Sequence, residues 1–200
     1  MSFIGIELVR RALEPGGPVD PTPRSEGRHA AVAAVLREGA GGAEVLLIRR
    51  AERAGDPWSG QMALPGGRHD PSDPTLLSTA VREAQEEVGL DLEREARLIA
   101  RLDDQPAMTR GGPAGLIVAP FVFELTGAGA LQRNHEVQET LWVPLSPLVA
   151  GQWQTVMPYE MFGQALRLPA WDVSGRIVWG LTHRMLSTLI ERLQQPPARR

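Results

Sequence analysis

The sequence predicts an α/β fold in which a mixed β-sheet is flanked by helices. Short apolar segments of strand length recur between turn-forming residues, and two longer segments, 75–88 and 178–193, repeat apolar residues at helical spacing. The 200 residues suit one domain and are enough to bury a sizeable core. Neither length nor pattern requires a second domain.

Composition divides the chain into three regions. Residues 3–13 have the pattern of a short helix, whereas 14–25 are rich in proline and glycine, which is typical of a linker or wrapping arm. We therefore predict an N-terminal arm or linker over 1–27, a globular domain over 28–193 and a polar tail over 194–200.

The globular domain opens with a predicted hairpin. Residues 29–36 and 44–48 are apolar, and the glycine-rich segment 38–43 between them supplies the turn. A short strand over 61–64 then leads into a glycine loop.

The first long helix is predicted over 75–88. Its apolar residues recur at helical spacing, so we expect a buried stripe on the side opposite Glu83 and Glu87. Gly89 is expected to end this helix.

The remaining elements complete the mixed order. Strands are predicted over 97–102, 116–125 and 139–143, and an amphipathic helix over 178–193 carries leucine and methionine at helical spacing. A sheet covered by helices is the arrangement that buries all these apolar faces.

Charge and composition exclude several function classes. The net charge is −3 and the basic residues are scattered, so we expect neither nucleic-acid nor membrane binding. The first 13 residues carry charges and lack the apolar core of a signal peptide, which predicts a cytoplasmic protein. Cysteine is absent, which excludes disulfides and thiol chemistry.

An acidic helix face beside a glycine loop is the main functional feature. Glu83, Glu86 and Glu87 are three and four residues apart and project from roughly one side of a helix. Such a face is often only solvated, and Arg82 with Glu86 is an ordinary helix ion pair. The adjoining glycine loop favours a metal site instead, because Mg²⁺ prefers carboxylate oxygens completed by substrate phosphates.

The segment from Gly67 to Leu90 resembles the Nudix box. Gly67 is the opening glycine, Asp73 takes the first acidic position, and Arg82 to Leu90 follow the remaining pattern. Eight residues rather than seven separate Asp73 from Arg82, and aspartate stands where glutamate is usual. One extra loop residue costs little entropy.

The resemblance implies an α/β/α sandwich, dependence on Mg²⁺ or Mn²⁺, and hydrolysis of a nucleoside diphosphate linked to another group. It also implies that family members are often homodimers. The implied metal ligands and catalytic groups are Glu83, Glu86 and Glu87, with a backbone carbonyl of Gly66 or Gly67 as a further ligand.

Neighbouring residues are given supporting roles. Arg82 is expected to orient Glu86 or a loop carboxylate through a charge-assisted pair. Gly66 and Gly67 allow the backbone to approach a phosphate closely. Asp70 and Asp73 are expected to cap the start of the helix, with a water-mediated contact to metal as the alternative.

The general base is sought in the loop before the 139–143 strand, because Nudix enzymes differ in its position. Glu136 is the first candidate, and Glu139 and His135 are alternatives.

The surrounding sequence resembles the coenzyme A diphosphatase branch of the family, which shares the one-residue insertion. Residues 46–51, 64–73 and 177–182 carry that resemblance. Asp56 stands where the branch has a basic residue and would repel a 3′-phosphate, unless Arg49, Arg50 or Arg53 substitutes.

Two further residues are candidates for substrate contact. Trp58 could stack on a base or simply fill the core, and Arg110 lies in a glycine loop suited to the nucleotide or pantetheine end. Trp179 is expected in the core.

Three hypotheses follow. The first is cleavage of coenzyme A or an acyl derivative. The second is the same chemistry on ADP-ribose, a nucleotide sugar or a dinucleotide, and the third is a non-catalytic nucleotide-binding module. The complete set of box glutamates argues against the third.

Overall fold

The computed structural model describes residues 4–13, 19–109 and 111–194. Its helices are α1 (Ile6–Leu13), α2 (Leu76–Val88), α3 (Leu92–Glu95), α4 (Leu145–Val149) and α5 (Gly180–Gln194). Its strands are β1 (Arg28–Gly39), β2 (Gly42–Arg50), β3 (Met62–Ala63), β4 (Gly66–Arg68), β5 (Ala96–Arg101), β6 (Gln105–Thr109), β7 (Gly112–Leu125), β8 (Val137–Pro144), β9 (Gln154–Met161), β10 (Gln164–Val173) and β11 (Arg176–Trp179).

The larger sheet is mixed, as the sequence predicts. Its path runs β3-β2-β1-β7-β5, with β4, β6 and β8 paired to β1, β7 and β2. Strand β1 is parallel to β7 and antiparallel to β2. The predicted hairpin is present with a tighter turn, because Gly39 already pairs with Gly42.

Strand β1 shows why helices cover both faces of this sheet. Ala31, Ala33 and Val35 belong to one core, in which α2 buries Leu76 and Ala84. The intervening residues, Ala30, Val32, Ala34 and Leu36, belong to a second core together with α1 and α5. Successive strand residues point to opposite faces, so the near-continuous apolar run of β1 produces an α/β/α sandwich.

The N-terminal segment contributes to this core. Val9 and Leu13 of α1 are buried in the same cluster as residues of α5. Farther along, the Arg101 guanidinium donates hydrogen bonds to the carbonyls of Asp20 and Thr22 at 2.9 and 2.6 Å. The described part of the arm therefore wraps the sheet, while residues 14–18 of the predicted linker lie outside the described residues.

A second sheet, of order β11-β10-β9, follows α4 and was not predicted. Its last strand corrects the start of the final helix. Val178 and Trp179 pair with β10, and α5 begins only at Gly180, where φ is +61°. Within the described part of the chain, no helix has both the length and the apolar character needed to cross a membrane.

Candidate active site

The glycine loop lies directly against strand β1. Gly66 and Gly67 of β4 pair antiparallel with Val32 and Ala31. Gly66 has φ +153°, and a Cβ there would lie 2.4 Å from the Ala31 carbonyl oxygen. A side chain is therefore excluded at Gly66, where β4 pairs with β1.

Helix α2 begins and ends at residues with defined capping contacts. The Thr75 hydroxyl accepts a hydrogen bond from the Ser78 N–H at 3.1 Å. Gly89 ends the helix with a left-handed φ of 74°, as predicted. The expectation that Asp70 or Asp73 caps the helix is wrong, because Thr75 occupies that position.

Asp73 instead binds the arginine of the box. Its carboxylate accepts hydrogen bonds from Nε and Nη2 of Arg82 at 2.9 and 3.0 Å, and a third from the Thr79 hydroxyl at 2.8 Å. This pairing holds the pKa of the buried Asp73 carboxyl well below its usual range. The loop with the extra residue is thus attached to α2 by a bidentate, charge-assisted contact.

Arg82 also contacts two box carboxylates. Its Nη1 lies 3.0 Å from Glu83 Oε1 and 3.0 Å from Glu86 Oε2. Arg82 thus pairs with both Glu86 and a loop carboxylate, the two partners that its charge predicts.

Glu87 occupies the buried side of α2. It is only 3% exposed, and its Oε2 accepts a hydrogen bond from the Gly66 N–H at 2.8 Å. Burial raises the pKa of Glu87 to about 7, with the Glu83 and Glu136 charges acting in the same direction. The expectation that Glu87 lies opposite the buried stripe is wrong, because the helix turns this carboxylate toward the glycine loop.

Glu83 lies beside the second glycine. A Cβ on Gly67 would be 2.3 Å from Glu83 Oε1, so the carboxylate fills the space that a side chain would take. Burial also raises the pKa of Glu83, while Arg82 opposes the shift and Glu86 and Glu136 add to it. Three acidic groups, Glu83, Glu87 and Glu136, are thus near enough to influence one another.

Backbone contacts place Glu136 in this group. The loop before β8 is fixed to the end of α2, because the Asn134 N–H donates to the Glu87 carbonyl at 3.0 Å. The Glu136 carbonyl accepts from the Ala51 N–H at 2.8 Å, which fixes the loop to the end of β2. Arg53 Nη2 lies 3.1 Å from Glu136 Oε1.

These elements enclose a cavity of about 580 Å³, here called the carboxylate cavity. Its charged and glycine lining includes Glu83, Glu87, Glu136, Asp56, Arg50, Arg53, Arg68, Gly66 and Gly67. Trp58 also lines it and packs against the core that contains α1 and α5. Sequence reasoning did not assign Arg68, although it directly follows the glycine pair.

Other candidate residues lie elsewhere. Arg49 does not line the carboxylate cavity and approaches Glu52 at 3.9 Å. The Glu139 carboxylate is bound by the Arg176 guanidinium, and the His135 side chain is 83% exposed. Arg110 lies outside the described residues, so its predicted substrate contact stays a prediction.

Asp56 forms an ion pair with the Arg50 guanidinium. Its Oδ2 accepts a hydrogen bond from Arg50 Nη2 at 2.9 Å, and its Oδ1 accepts one from the Trp58 N–H at 2.9 Å. Burial raises the pKa of Asp56, but these hydrogen bonds lower it by more. The net shift of the pKa is downward. The repulsion expected from Asp56 is therefore partly cancelled by Arg50.

The donor set fits a hard divalent cation. Glu83 and Glu87 offer carboxylate oxygens beside Gly66 and Gly67, and burial raises the pKa of both glutamates because it disfavours their negative charge. Among the described residues, no three histidine, aspartate or glutamate side chains lie close enough together to hold a metal ion by themselves. Mg²⁺ commonly binds through one or two carboxylates, waters and substrate phosphates, so Glu83 and Glu87 would supply only part of its coordination shell.

A family profile described as NUDIX domain matches residues 27–159. The chain belongs to the Nudix hydrolase family. Members of this family generally use divalent metal ions and act on nucleoside diphosphate derivatives. Membership confirms the resemblance drawn from the box, and the mixed sheet between helices confirms the predicted fold class.

Named relatives agree with this Nudix assignment. The chain is 30% identical over 150 residues to an uncharacterized Nudix hydrolase NudL of Photorhabdus laumondii, covering 74% of this chain and 77% of that protein. It is 52% identical over 153 residues to a NudL of Yersinia pestis, covering 76% and 71%. An uncharacterized protein of Schizosaccharomyces pombe, C14C4.10c, is 40% identical over 114 residues, which span 56% of this chain and only 35% of that protein.

Solved structures share the fold of this Nudix chain. An Ap4A hydrolase of C. elegans in a binary complex gives a TM-score of 0.51 at 22% identity, covering 62% of this chain and 84% of that one. The NUDIX domain of Shewanella oneidensis NrtR complexed with ADP ribose gives 0.53 at 19% identity, covering 88% and 94%. At these identities the likeness concerns the fold alone.

The raised pKa of Glu87 predicts how stability depends on pH. Folded Glu87 keeps its proton up to about pH 7, whereas the unfolded group releases it near its ordinary value of 4.5. The folded state therefore binds more protons between these values, and stability falls as pH rises through 7. From pH 5 to pH 8, urea unfolding of metal-free protein should show a loss of up to about 3 kcal/mol that Glu87→Gln lacks. Equal pH slopes in the two proteins would contradict the burial of an ionisable Glu87.

Proposed function

We propose that this Nudix hydrolase cleaves the pyrophosphate bond of coenzyme A and its derivatives, with Mg²⁺ or Mn²⁺ bound. One water is consumed, and the products are a 4′-phosphopantetheine compound and adenosine 3′,5′-bisphosphate. The observation that carries the proposal is the carboxylate cavity, in which Glu83, Glu87 and Glu136 lie together with Arg50, Arg53 and Arg68. Carboxylates suit the metal, and guanidinium groups suit phosphate oxygens.

The box carboxylates would hold the cation. Glu83, Glu86 and Glu87 are the proposed ligands, with the Gly67 carbonyl as a further oxygen. When bound, a divalent cation neutralises phosphate charge and lowers the pKa of the water bound to it. Glu86 pairs with Arg82 and is 54% exposed, so its carboxylate must release Arg82 in order to bind a cation.

Glu136 is the proposed general base. Its carboxylate lines the cavity and is 43% exposed, so it can reach both water and the substrate. Arg53 Nη2 lies 3.1 Å from Glu136 Oε1, and this ion pair holds the carboxylate at the edge of the cavity. The proton of the attacking water would pass to the Glu136 carboxylate.

Arg50 is the proposed phosphate contact. Its Nε is buried and has no hydrogen-bond acceptor among the described residues, while its Nη2 is held by Asp56. An unpartnered buried donor is unfavourable unless a ligand supplies the acceptor. This geometry supports an anionic substrate, and the sequence resemblance over residues 46–51 and 64–73 favours coenzyme A.

Product analysis tests the proposal. Purified protein is incubated with Mg²⁺ or Mn²⁺ and, separately, coenzyme A, dephospho-coenzyme A, ADP-ribose and a nucleotide sugar, and products are separated by chromatography. Preferential release of adenosine 3′,5′-bisphosphate from coenzyme A is expected. Preferential cleavage of ADP-ribose or the sugar would overturn the substrate assignment, and silence on all four would favour a binding module.

Adjacent arginines provide a matched control for this assay. Arg50→Gln should raise the KM for coenzyme A about tenfold or more, because it removes a charge-assisted contact to phosphate. Arg49→Gln makes the same change at a residue that does not line the cavity, and it should leave KM within about twofold. Equal effects of the two changes would remove Arg50 from the site.

A further inference from the structure

A second cavity, of about 750 Å³, adjoins the carboxylate cavity and is here called the apolar cavity. It lies between the small sheet, the tip of β6 and the first turn of α5. Its volume is within the range of sites that bind small molecules. The box does not account for it, and the part of its wall that follows residue 159 lies beyond the family match.

The walls of the apolar cavity combine aliphatic and thioether side chains with three aromatic residues, Trp58, Tyr159 and Trp179. Met157 and Met161 of β9 and Leu166 and Leu168 of β10 line it, and Met108 of β6 faces them. Side chains on a strand alternate between faces, so Val156, next to Met157, lies on the outer side of the sheet and is 40% exposed. Unbranched methionine adapts to flexible apolar ligands.

The two cavities share a wall. Asp56, Pro57, Trp58, Gln61 and Leu181 line both of them. The turn that carries Trp58 is fixed, because Asp56 binds both the Trp58 N–H and the Arg50 guanidinium. One elongated molecule can therefore pass this wall and occupy both cavities.

Charge decides which end of such a molecule enters the apolar cavity. The carboxylate cavity has three arginines, Arg50, Arg53 and Arg68, beside the carboxylates that the proposed cation would neutralise. Among the described residues, the only arginine and glutamate that line the apolar cavity are Arg184 and Glu160, and Asp56 lines both cavities. Arg184 already donates a hydrogen bond to the Pro106 carbonyl. A phosphorylated nucleotide is therefore better matched to the carboxylate cavity, and an uncharged chain to the apolar one.

We propose that the apolar cavity binds the aliphatic acyl chain of an acylated substrate whose diphosphate lies in the carboxylate cavity. The assignment rests on the proposed function and makes it more specific. Fatty-acyl thioesters of coenzyme A become preferred over free coenzyme A, and affinity increases with chain length until the cavity is filled. Each methylene that enters should tighten binding about two- to fourfold.

Binding without turnover tests the proposal. Calorimetric titrations in EDTA compare coenzyme A with its hexanoyl and decanoyl thioesters. The wild-type protein should bind the decanoyl thioester at least about tenfold more tightly than coenzyme A. Equal affinities, or no measurable binding of either ligand, would overturn the assignment.

Two adjacent residues of β9 give matched variants. Met157→Gln places a polar amide of similar length in the cavity and should reduce the decanoyl preference about fivefold. Val156→Gln introduces the same side chain on the outer face and should leave the preference unchanged. If Met157→Gln instead weakens adenosine 3′,5′-bisphosphate and spares the acyl effect, the cavity binds the nucleotide and the proposal is wrong.

Failure of this inference is distinct from failure of the proposed function. If the chain-length preference appears in EDTA but no substrate is cleaved with Mg²⁺ or Mn²⁺, the hydrolysis proposal fails and the cavity assignment stands. If coenzyme A and its decanoyl thioester are cleaved with equal kcat/KM and bound equally, the acyl-chain assignment fails and the hydrolysis proposal stands.

Discussion

Glu87→Gln is expected to lower kcat for diphosphate hydrolysis by about a thousandfold or more. Glu87 is 3% exposed, and its carboxylate connects α2 to the Gly66 N–H at 2.8 Å. Glutamine keeps the shape and one carbonyl oxygen for that hydrogen bond, but it loses the negative charge that the proposed cation requires. The measurement is the steady-state rate with saturating Mg²⁺ or Mn²⁺ on the substrate identified by product analysis.

A stability measurement separates loss of charge from loss of fold. At pH 8 without metal, Glu87→Gln should unfold at a higher urea concentration than wild type, because it removes a charge that burial disfavours. Glu93→Gln, at an exposed position of α3, is the matched control and should change neither rate nor stability. Retained activity in Glu87→Gln would rule out the metal assignment.

The burial of Glu87 illustrates what the sequence alone could not provide. Helical periodicity and the Gly89 stop predicted α2 correctly, because both are local properties of the chain. Periodicity treats every glutamate as solvent-facing, yet Glu87 is buried because the glycine loop supplies a backbone N–H. That contact joins residues 21 positions apart and has no local signature.

Asp73 illustrates the same limit within a single motif. Its position in the box predicted an acidic side chain near the helix, and capping was the obvious local role. The Asp73 carboxylate is instead bound by Arg82, which donates two hydrogen bonds to it from about two turns into α2. Thr75 caps the helix. Asp70 and Asp73 were the expected caps, and the path of the loop, which has no local signature, places Thr75 at the helix start instead.

The small sheet was missed for a different reason. Strand β9 alternates exposed and half-buried residues, which is the pattern of a strand with one covered face. Pro158 and Pro169 interrupt the pattern in β9 and β10, and proline lowers the expectation of a strand. Because this sheet was missed, Trp179 was expected in the core at the start of a helix. It instead ends β11 and lines the apolar cavity.

Gly67→Ala is expected to lower kcat about a hundredfold with little loss of stability. The new Cβ would lie 2.3 Å from Glu83 Oε1 and 2.5 Å from its carboxyl carbon, so the carboxylate must move. Gly67 is not among the glycines with positive φ, so alanine fits the backbone. The end of a flexible side chain yields easily, which limits the expected change in unfolding free energy to about 1 kcal/mol.

The neighbouring glycine supplies the contrast that makes this result interpretable. In Gly66→Ala the Cβ would meet backbone, 2.4 Å from the Ala31 carbonyl oxygen and 2.6 Å from the Val32 Cα, at a φ of +153°. That change should cost about 3 kcal/mol or more of stability, seen as a lower urea midpoint. If Gly67→Ala were as unstable as Gly66→Ala, its rate loss would report unfolding. If it kept both full stability and full activity, the position of Glu83 against Gly67 would not matter for catalysis.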